Sequence, residues 1–262
     1  MGEVAGAKTD PRWLYGSWRQ PGVAQGLVFT LAEVIDALLK LVDKRASLDV
    51  VCTVEVPSDD EPCDCYLAEL SELLSLEGIV ELRCAISSLL AAIACEGMLN
   101  QFCFFNFGEE LSESIEKLQP TEKLVIASSV LGHENAKADH LYGLLKNLSS
   151  WRNRFAHCHN PDTPSNSLTR NHVTISDNMK TFEDLFSEFP KHLRAYTELA
   201  SWLTEKSHHH IVKFSNQTES SAALHFQEEF ACFRLIRPRP AHIYEFQLDR
   251  QNLESLIKKR AK

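Results

Sequence analysis

The middle of the chain carries an apolar pattern that a helix would place on one side. The residues that recur at helical spacing are Leu141, Leu144, Leu145, Leu148 and Phe155. The segment that follows, residues 160–164, contains two prolines and cannot continue a helix. The pattern therefore predicts a helix over residues 141–157 that packs one face into a core and ends in a cluster of arginines and histidines.

Apolar residues at helical spacing predict further helices on both sides of this segment. They cover residues 30–44, 66–76, 79–104, 121–131, 189–206 and 249–262. Thr30 and Glu33 fit a capping box at the start of the first of these helices, and Thr121 is expected to cap the fourth. Because so much of the chain has helical periodicity, the predicted fold class is all-α.

Three parts of the chain lack this pattern. Residues 1–25 contain Gly, Pro and aromatic residues without a period, and we expect an irregular amino-terminal arm. Residues 49–56 are rich in β-branched side chains, which favours a short strand. A polar loop of about 25 residues is expected before residue 189. The predicted organisation is an arm with an accessory helix over 1–75, a helical bundle over 76–206, and a carboxy-terminal extension over 207–262.

The charge of the chain limits how it could contact nucleic acid. The formal net charge is −9, which argues against a protein that coats nucleic acid non-specifically, because such binding depends on many Lys and Arg contacts to phosphate. The centre of the chain differs from the whole. Between residues 137 and 159 there is one acidic residue, Asp139, and the cations are Lys137, Lys146, Arg152 and Arg154. A small basic site on an acidic body is therefore compatible with the composition.

The amino terminus and the cysteines indicate the compartment. Acidic residues and no early apolar segment make a secretory signal unexpected. The most apolar window, residues 27–42, is short and interrupted by charged residues, so we expect no membrane span. The eight cysteines follow no regular framework, which favours buried thiols over disulfides. These features predict a soluble cytoplasmic protein without a membrane partner.

Helical geometry places Arg152 on the same stripe as the leucines of its helix. A guanidinium turned toward a core needs a polar partner. The preceding long helix offers Glu96 and Asn100, one turn apart, at its predicted core stripe of Ile79, Leu82, Ile86, Leu90, Ile93, Gly97 and Phe104. We therefore predict an ion pair between Arg152 and Glu96, whereas Asn153 and His157 are expected to share the opposite, open face.

The pattern of these residues resembles the HEPN superfamily, the higher eukaryotes and prokaryotes nucleotide-binding domains. Its diagnostic feature is an arginine, often followed directly by asparagine, with a histidine after four to six further residues. Arg152, Asn153 and His157 match that feature, and Glu96 and Asn100 precede them in the expected order. Arg154 and His159 have the same spacing, but the Arg-Asn pair selects the first register. The resemblance covers roughly residues 75–205.

The resemblance implies an up-down helical bundle that forms a homodimer and cleaves RNA as a metal-independent endoribonuclease, in toxins or in defence against phage. His157 would act as general acid or base, Asn153 would position the substrate, and Arg152 would hold the phosphate. Arg154, His159 and Lys146 would contact the RNA, with Glu96 and Asn100 as structural support. An antitoxin protein is an expected partner.

The alternative is a non-catalytic HEPN module that binds proteins, nucleotides or RNA. Arg152 would then only brace two helices, and His157 would complement the dipole at a helix end. No metal or other cofactor is expected in either case, because Cys158 and His159 lack a second Cys-His pair at ligand spacing.

Overall fold

The computed structural model describes residues 19–53, 64–133, 135–157, 175–208, 210–236 and 245–260. Within these ranges the chain is mostly helical, which confirms the helical fold class, and a small antiparallel sheet is added to the helices. The α-helices, in chain order, are α1 (Arg19–Thr53), α2 (Asp64–Phe107), α3 (Glu109–Ile115), α4 (Pro120–Val130), α5 (His140–His157), α6 (Ile175–Lys206), α7 (His210–Phe230) and α8 (Arg250–Arg260). The strands are β1 (Phe233–Ile236) and β2 (Glu245–Leu248), with Phe233 opposite Leu248.

Helix α1 is longer at both ends than its periodicity predicts. It begins at Arg19, so the irregular arm was wrong for residues 19–25, and Thr30 is a buried interior residue rather than a cap. The predicted strand was wrong over residues 49–53, which are helical. Extending an existing helix costs far less than starting one, and β propensity depends strongly on context. Residues 1–18 and 54–56 lie outside the described part.

Helix α2 joins two segments that were predicted as separate helices, with Gly78 in its interior. The predicted core stripe was also wrong: Leu82 is 54% exposed, Ile79 and Ile93 are exposed, and Val80, Cys84 and Leu99 are among the buried residues. This segment is apolar on nearly every side, so its spacing does not identify one core face.

The chain divides into two compact units, each built from three stretches of sequence. The first comprises the described residues within Met1–Val28, Ser88–Asp162 and Lys191–Leu224. Helix α5 in this unit matches the prediction closely, and its four leucines are buried, but Phe155 is 46% exposed. Phe155 was therefore wrongly assigned to the core. It lies near the end of α5, one helical turn beyond Trp151.

Two other helices of the first unit also follow their sequence patterns. On α6, the predicted core residues are all buried, namely Leu193, Tyr196, Leu199, Ala200 and Leu203. Helix α4 is preceded by Gln119, whose backbone N–H donates to the Glu122 carboxylate at 2.9 Å, so Thr121 is not its cap. Gly132, with φ of +78°, follows the end of α4, where a left-handed residue commonly terminates a helix.

The second unit comprises the described residues within Phe29–Ser87, Thr163–Pro190 and His225–Lys262. Here α1 and α2 are joined by two ion pairs, Glu33 with Arg83 and Lys44 with Glu72. Lys44 follows Glu33 by 11 residues and Glu72 precedes Arg83 by 11, about three helical turns on each side, so the helices run antiparallel.

An aromatic cluster of buried side chains contributes to this unit's core. Phe230 contacts Phe186 at 4.7 Å and Phe189 at 4.9 Å between ring centroids, and Phe186 contacts Phe246 on β2 at 5.1 Å. Helix α6 begins at Ile175, so the predicted loop was wrong from residue 175 onward. Pro190 lies inside this helix; because proline usually interrupts a helix, its position obscured the amino-terminal half in the sequence.

Two helical stretches in the described part, Gly22–Ala46 and Ser71–Phe107, are long and apolar enough to cross a membrane by length and composition alone. The windows are 44% and 50% buried inside the protein, and the core helix of a globular protein meets the same criterion. Residues 27–42 were predicted to be too short to span a membrane, and this was wrong on length because α1 extends beyond them. The absence of a membrane partner stays a prediction.

The cysteines whose side chains the structure describes, Cys84, Cys95, Cys103 and Cys232, are free and buried, as predicted. Burial raises the pKa of the Cys103 thiol to about 11, and the nearby Lys123 lowers it in part. Such thiols are poor nucleophiles at neutral pH, so they contribute to packing.

Candidate functional site

The predicted ion pair between Arg152 and Glu96 is present. Nη1 of Arg152 on α5 donates to Oε2 of Glu96 on α2 at 2.9 Å. The Arg152 side chain is 27% exposed, so it is turned toward the bundle without being sealed from water. The residues on α5 that precede it, Leu145 and Leu148, are buried, and Arg152 continues their stripe to the point where the core ends. The contact confirms the inward placement of Arg152.

Lys123 of α4 completes this cluster. Its side chain is fully buried, and Nζ donates to Oδ1 of Asn100 at 2.7 Å while lying 3.7 Å from Oε1 of Glu96. Burial lowers the pKa of Lys123, and the negative charge of Glu96 opposes that shift. Glu96 and Asn100 are one turn apart on α2, so both reach the same ammonium group. The cluster therefore joins α2, α4 and α5 through one carboxylate and one amide.

Sequence reasoning missed Lys123, although a signal was available. It follows Pro120 by three residues and precedes Ala127 by four, and both of these are buried, as is Leu124 beside it. A lysine at helical spacing from apolar residues lies on their face, and this spacing could have placed Lys123 inside the bundle.

Asn153 was predicted to face away from Arg152, and this prediction was wrong. Its Oδ1 accepts hydrogen bonds from Nε and Nη2 of Arg152 at 3.3 and 3.2 Å. Consecutive helical residues point about 100° apart, a separation that the long arginine side chain spans. The pair holds the guanidinium in a fixed orientation between α2 and the end of α5.

The other predicted site residues are only partly described. Lys146 is exposed on α5. The backbone of α5 includes Arg154 and His157, whose side chains lie outside the described part, as does the whole of His159. The structure thus brings together Glu96, Asn100, Arg152 and Asn153 and leaves the histidine roles as predictions.

A buried histidine, also missed by sequence reasoning, contacts Trp151 of α5, the residue before Arg152. His192 of α6 is fully buried; its Nδ1 is 2.8 Å from Oγ of Ser88, and its Nε2 is 3.3 Å from Oδ1 of Asn147. Its ring lies 5.1 Å from that of Trp151, which stacks on Phe155. His192 precedes the buried Leu193 within the predicted stripe of α6, and its polar partners on two other helices could not be located from sequence.

The charges of the cluster decide what it can bind. The fully buried Lys123 is under the influence of two carboxylates, Glu96 and Glu116, so the cation of the cluster that water and ligands can reach is Arg152, at 27% exposed. Such a group can neutralise part of a phosphate, and the donors of a guanidinium suit phosphate oxygens. Among the side chains that the structure describes, no group of three or more His, Cys, Asp or Glu residues has the arrangement of a metal site.

Comparisons with protein-family models, with curated proteins and with solved structures found no match to this chain.

Proposed function

We propose that this protein is a HEPN-type endoribonuclease that acts as a homodimer and cleaves single RNA strands through the attack of the RNA's own 2′-hydroxyl. The observation that carries the proposal is the ion pair between Glu96 and Arg152. It supports an inward Arg152 at the end of α5, paired with an upstream carboxylate, in the order that the HEPN resemblance implies. The same proposal includes an up-down arrangement of the bundle helices.

In the proposed reaction, a base removes the proton of the 2′-hydroxyl, the 2′-oxygen bonds to phosphorus, and the bond from phosphorus to the 5′-oxygen breaks. An acid then protonates the departing 5′-oxygen, so the products are a 2′,3′-cyclic phosphate and a 5′-hydroxyl. Histidine can serve as either group near neutral pH, and we assign this role to His157, with the second group supplied by the other subunit. Arg152, oriented by Asn153, and Arg154 stabilise the charge on the phosphate.

The biological role we infer is that of a cytoplasmic toxin or phage-defence component held in check by an antitoxin protein. Lys146 is exposed on α5 and is available for RNA backbone contacts, and His159 belongs to the same basic segment. Expression of the intact chain should then stop growth, and His157→Ala should relieve the arrest.

A non-catalytic HEPN module is the second candidate, and one observation favours it. The guanidinium of Arg152 is already bonded to Glu96 and to Asn153, and these contacts alone would brace α2 against α5. A protein that retained this brace without cleaving RNA would have the same geometry at Arg152. The two candidates therefore differ only in the outcome of an activity measurement.

The test uses the purified full chain, a labelled single-stranded RNA, neutral pH and EDTA. We expect cleavage that leaves a 2′,3′-cyclic phosphate, a loss of at least about 100-fold in His157→Ala, and no cleavage where the 2′-hydroxyl at the cut site is replaced by hydrogen. His208→Ala is the matched control, because His208 is exposed and outside the motif. Equal cleavage by the wild type and His157→Ala would indicate a contaminating nuclease, and no cleavage by the wild type would leave the non-catalytic module.

A further inference from the structure

Three rings form a column at the end of α5. Phe155 and Trp151 are one helical turn apart, and their rings lie 5.1 Å apart with an angle of 14° between their planes. The ring centroid of Trp151 also lies 5.1 Å from that of His192 on α6, with an angle of 49° between the planes. The column thus runs from a fully buried ring, through a partly buried one, to Phe155, which is 46% exposed.

The buried end of the column is fixed. Both ring nitrogens of His192 have partners, Ser88 on one side and Asn147 on the other, at 2.8 and 3.3 Å. Asn147 lies one turn before Trp151 on α5, so the helix that carries Trp151 also helps to hold the histidine beneath it. Because the supporting rings are fixed before any ligand arrives, binding on the outer ring requires little ordering.

The open end of the column has the shape and chemistry of a nucleobase platform. Trp151 stacks nearly parallel to the Phe155 ring, and Phe155 is nevertheless 46% exposed. Flat aromatic faces of this kind bind unpaired bases by stacking, whatever the base. Arg152 and Asn153 lie between the two aromatic residues in sequence, and the partly exposed guanidinium of Arg152 can donate hydrogen bonds to an adjoining phosphate.

We propose that the exposed face of Phe155, supported by Trp151 and His192, is a stacking site for one unpaired base of a single-stranded RNA. This inference rests on the proposed function and adds a recognition site to it: one base of the single strand is held two residues before His157 along α5. A base fixed there would position the neighbouring phosphate toward the end of the helix.

A ribonucleic acid is favoured over a protein partner by the form of this surface. In the described residues of the first unit, the exposed large apolar side chains are Ile93, Val130, Phe155 and Leu224, each on a different helix. Phe155 is the aromatic member of this set and lies next to a guanidinium in sequence. One flat ring, three residues after the partly exposed Arg152 on the same helix, matches one base and its phosphate, whereas a stable protein interface buries roughly 800 Å² on each partner.

The experiment measures binding rather than cleavage, using the full chain and a fluorescent single-stranded oligonucleotide of about 12 residues. The oligonucleotide is 2′-O-methylated throughout, so it lacks the attacking hydroxyl and stays intact. Phe155→Leu keeps an apolar side chain but removes the aromatic face, and we expect it to raise Kd about tenfold. Phe155→Tyr should stay within about twofold of the wild type, and Val130→Ala, an exposed apolar control in the same unit, should not change Kd.

Several outcomes would overturn the stacking site: no binding by the wild type, wild-type affinity in Phe155→Leu, or an equal loss on a matched oligonucleotide without bases. A change in the sedimentation of Phe155→Leu from dimer to monomer would assign the ring to a subunit interface instead. The nuclease proposal is judged separately. Binding that depends on Phe155, without any cleavage, would support the stacking site and reject the nuclease. Cleavage with the same KM in Phe155→Leu as in the wild type would support the nuclease and reject the stacking site.

Discussion

The carboxylate of Glu96 lies between two cations from different helices. Its Oε2 is 2.9 Å from Nη1 of Arg152, and its Oε1 is 3.7 Å from Nζ of Lys123. The two cations differ in their surroundings, because Lys123 is fully buried and Arg152 is 27% exposed. Glu96 therefore makes two separable contributions to stability. Its ion pair with Arg152 is in contact with water, and its interaction with Lys123 is inside the protein.

The first prediction concerns the coupling of these three residues. Glu96→Gln should lower the free energy of unfolding by about 2 to 3 kcal/mol, because it removes the main negative charge beside the buried ammonium of Lys123. Arg152→Met keeps the apolar stem and should cost about 1 kcal/mol, since the lost ion pair is partly screened by water. The double variant should lose less free energy of unfolding than the sum of the losses in the two single variants, as measured by urea unfolding.

The exposed pair of Glu33 and Arg83 provides the control for this cycle, because both side chains are more than a third exposed. The same cycle with Glu33→Gln and Arg83→Met should give single effects below about 1 kcal/mol. The Glu96 and Arg152 variants could instead have additive effects on the free energy of unfolding, no larger than those of the control pair. In that case the cluster does not brace the bundle.

The second prediction follows from the buried Lys123. Burial lowers its pKa, so the folded protein releases this proton at a lower pH than the unfolded chain, in which the pKa has its ordinary value of 10.5. Between these two pKa values the unfolded state binds more protons, and the free energy of unfolding therefore rises with pH. Relative to Lys123→Met, the wild type should gain stability between about pH 7 and about pH 10.

The measurement compares the urea midpoints of the two proteins at both pH values, so that contributions from other lysines cancel. A relative loss of wild-type stability with rising pH would mean that attraction by Glu96 outweighs burial and that the pKa of Lys123 is raised.

Helical spacing predicted those parts of the fold and site in which one face of a helix is apolar and the other is polar. On α5, a guanidinium in line with Leu145 and Leu148 required a polar partner, and Glu96 was the carboxylate within reach. On α2 the same reasoning chose the wrong face, because Leu82 and Val80 are equally apolar and only the neighbouring helices decide which is covered.

Partners that lie far apart in sequence were beyond this kind of reasoning. The pairing of His192 with Ser88 spans 104 residues and depends on the packing of α2 against α6. Helix limits failed for a different reason: β-branched residues in α1 and Pro190 in α6 disfavour helix locally, and both are tolerated within long helices.

The third prediction tests the buried end of the ring column. His192→Ala should lower the free energy of unfolding by about 3 kcal/mol, because it leaves a cavity and removes the partner of the Ser88 hydroxyl. His192→Phe keeps a ring beneath Trp151 and should retain more of the near-ultraviolet circular dichroism of the tryptophans than His192→Ala does. His208→Ala, at an exposed position, should change stability by less than about 0.5 kcal/mol. Similar effects of His192→Ala and His208→Ala would contradict a supporting role for His192.

The fourth prediction compares two glycines that have equal space but different backbone conformations. A Cβ atom would meet no other atom within 4 Å at either Gly132 or Gly78. Gly132 has φ of +78° after α4, where a side chain strains the backbone, so Gly132→Ala should cost about 1 kcal/mol. Gly78 is an exposed residue inside α2, where alanine is the better helix former, so Gly78→Ala should add about 0.5 to 1 kcal/mol. Urea unfolding of the two variants should show changes in stability of opposite sign.

A destabilising Gly78→Ala would indicate that α2 is interrupted at the junction between its two predicted segments, whereas a neutral Gly132→Ala would mean that α4 does not end in a left-handed residue.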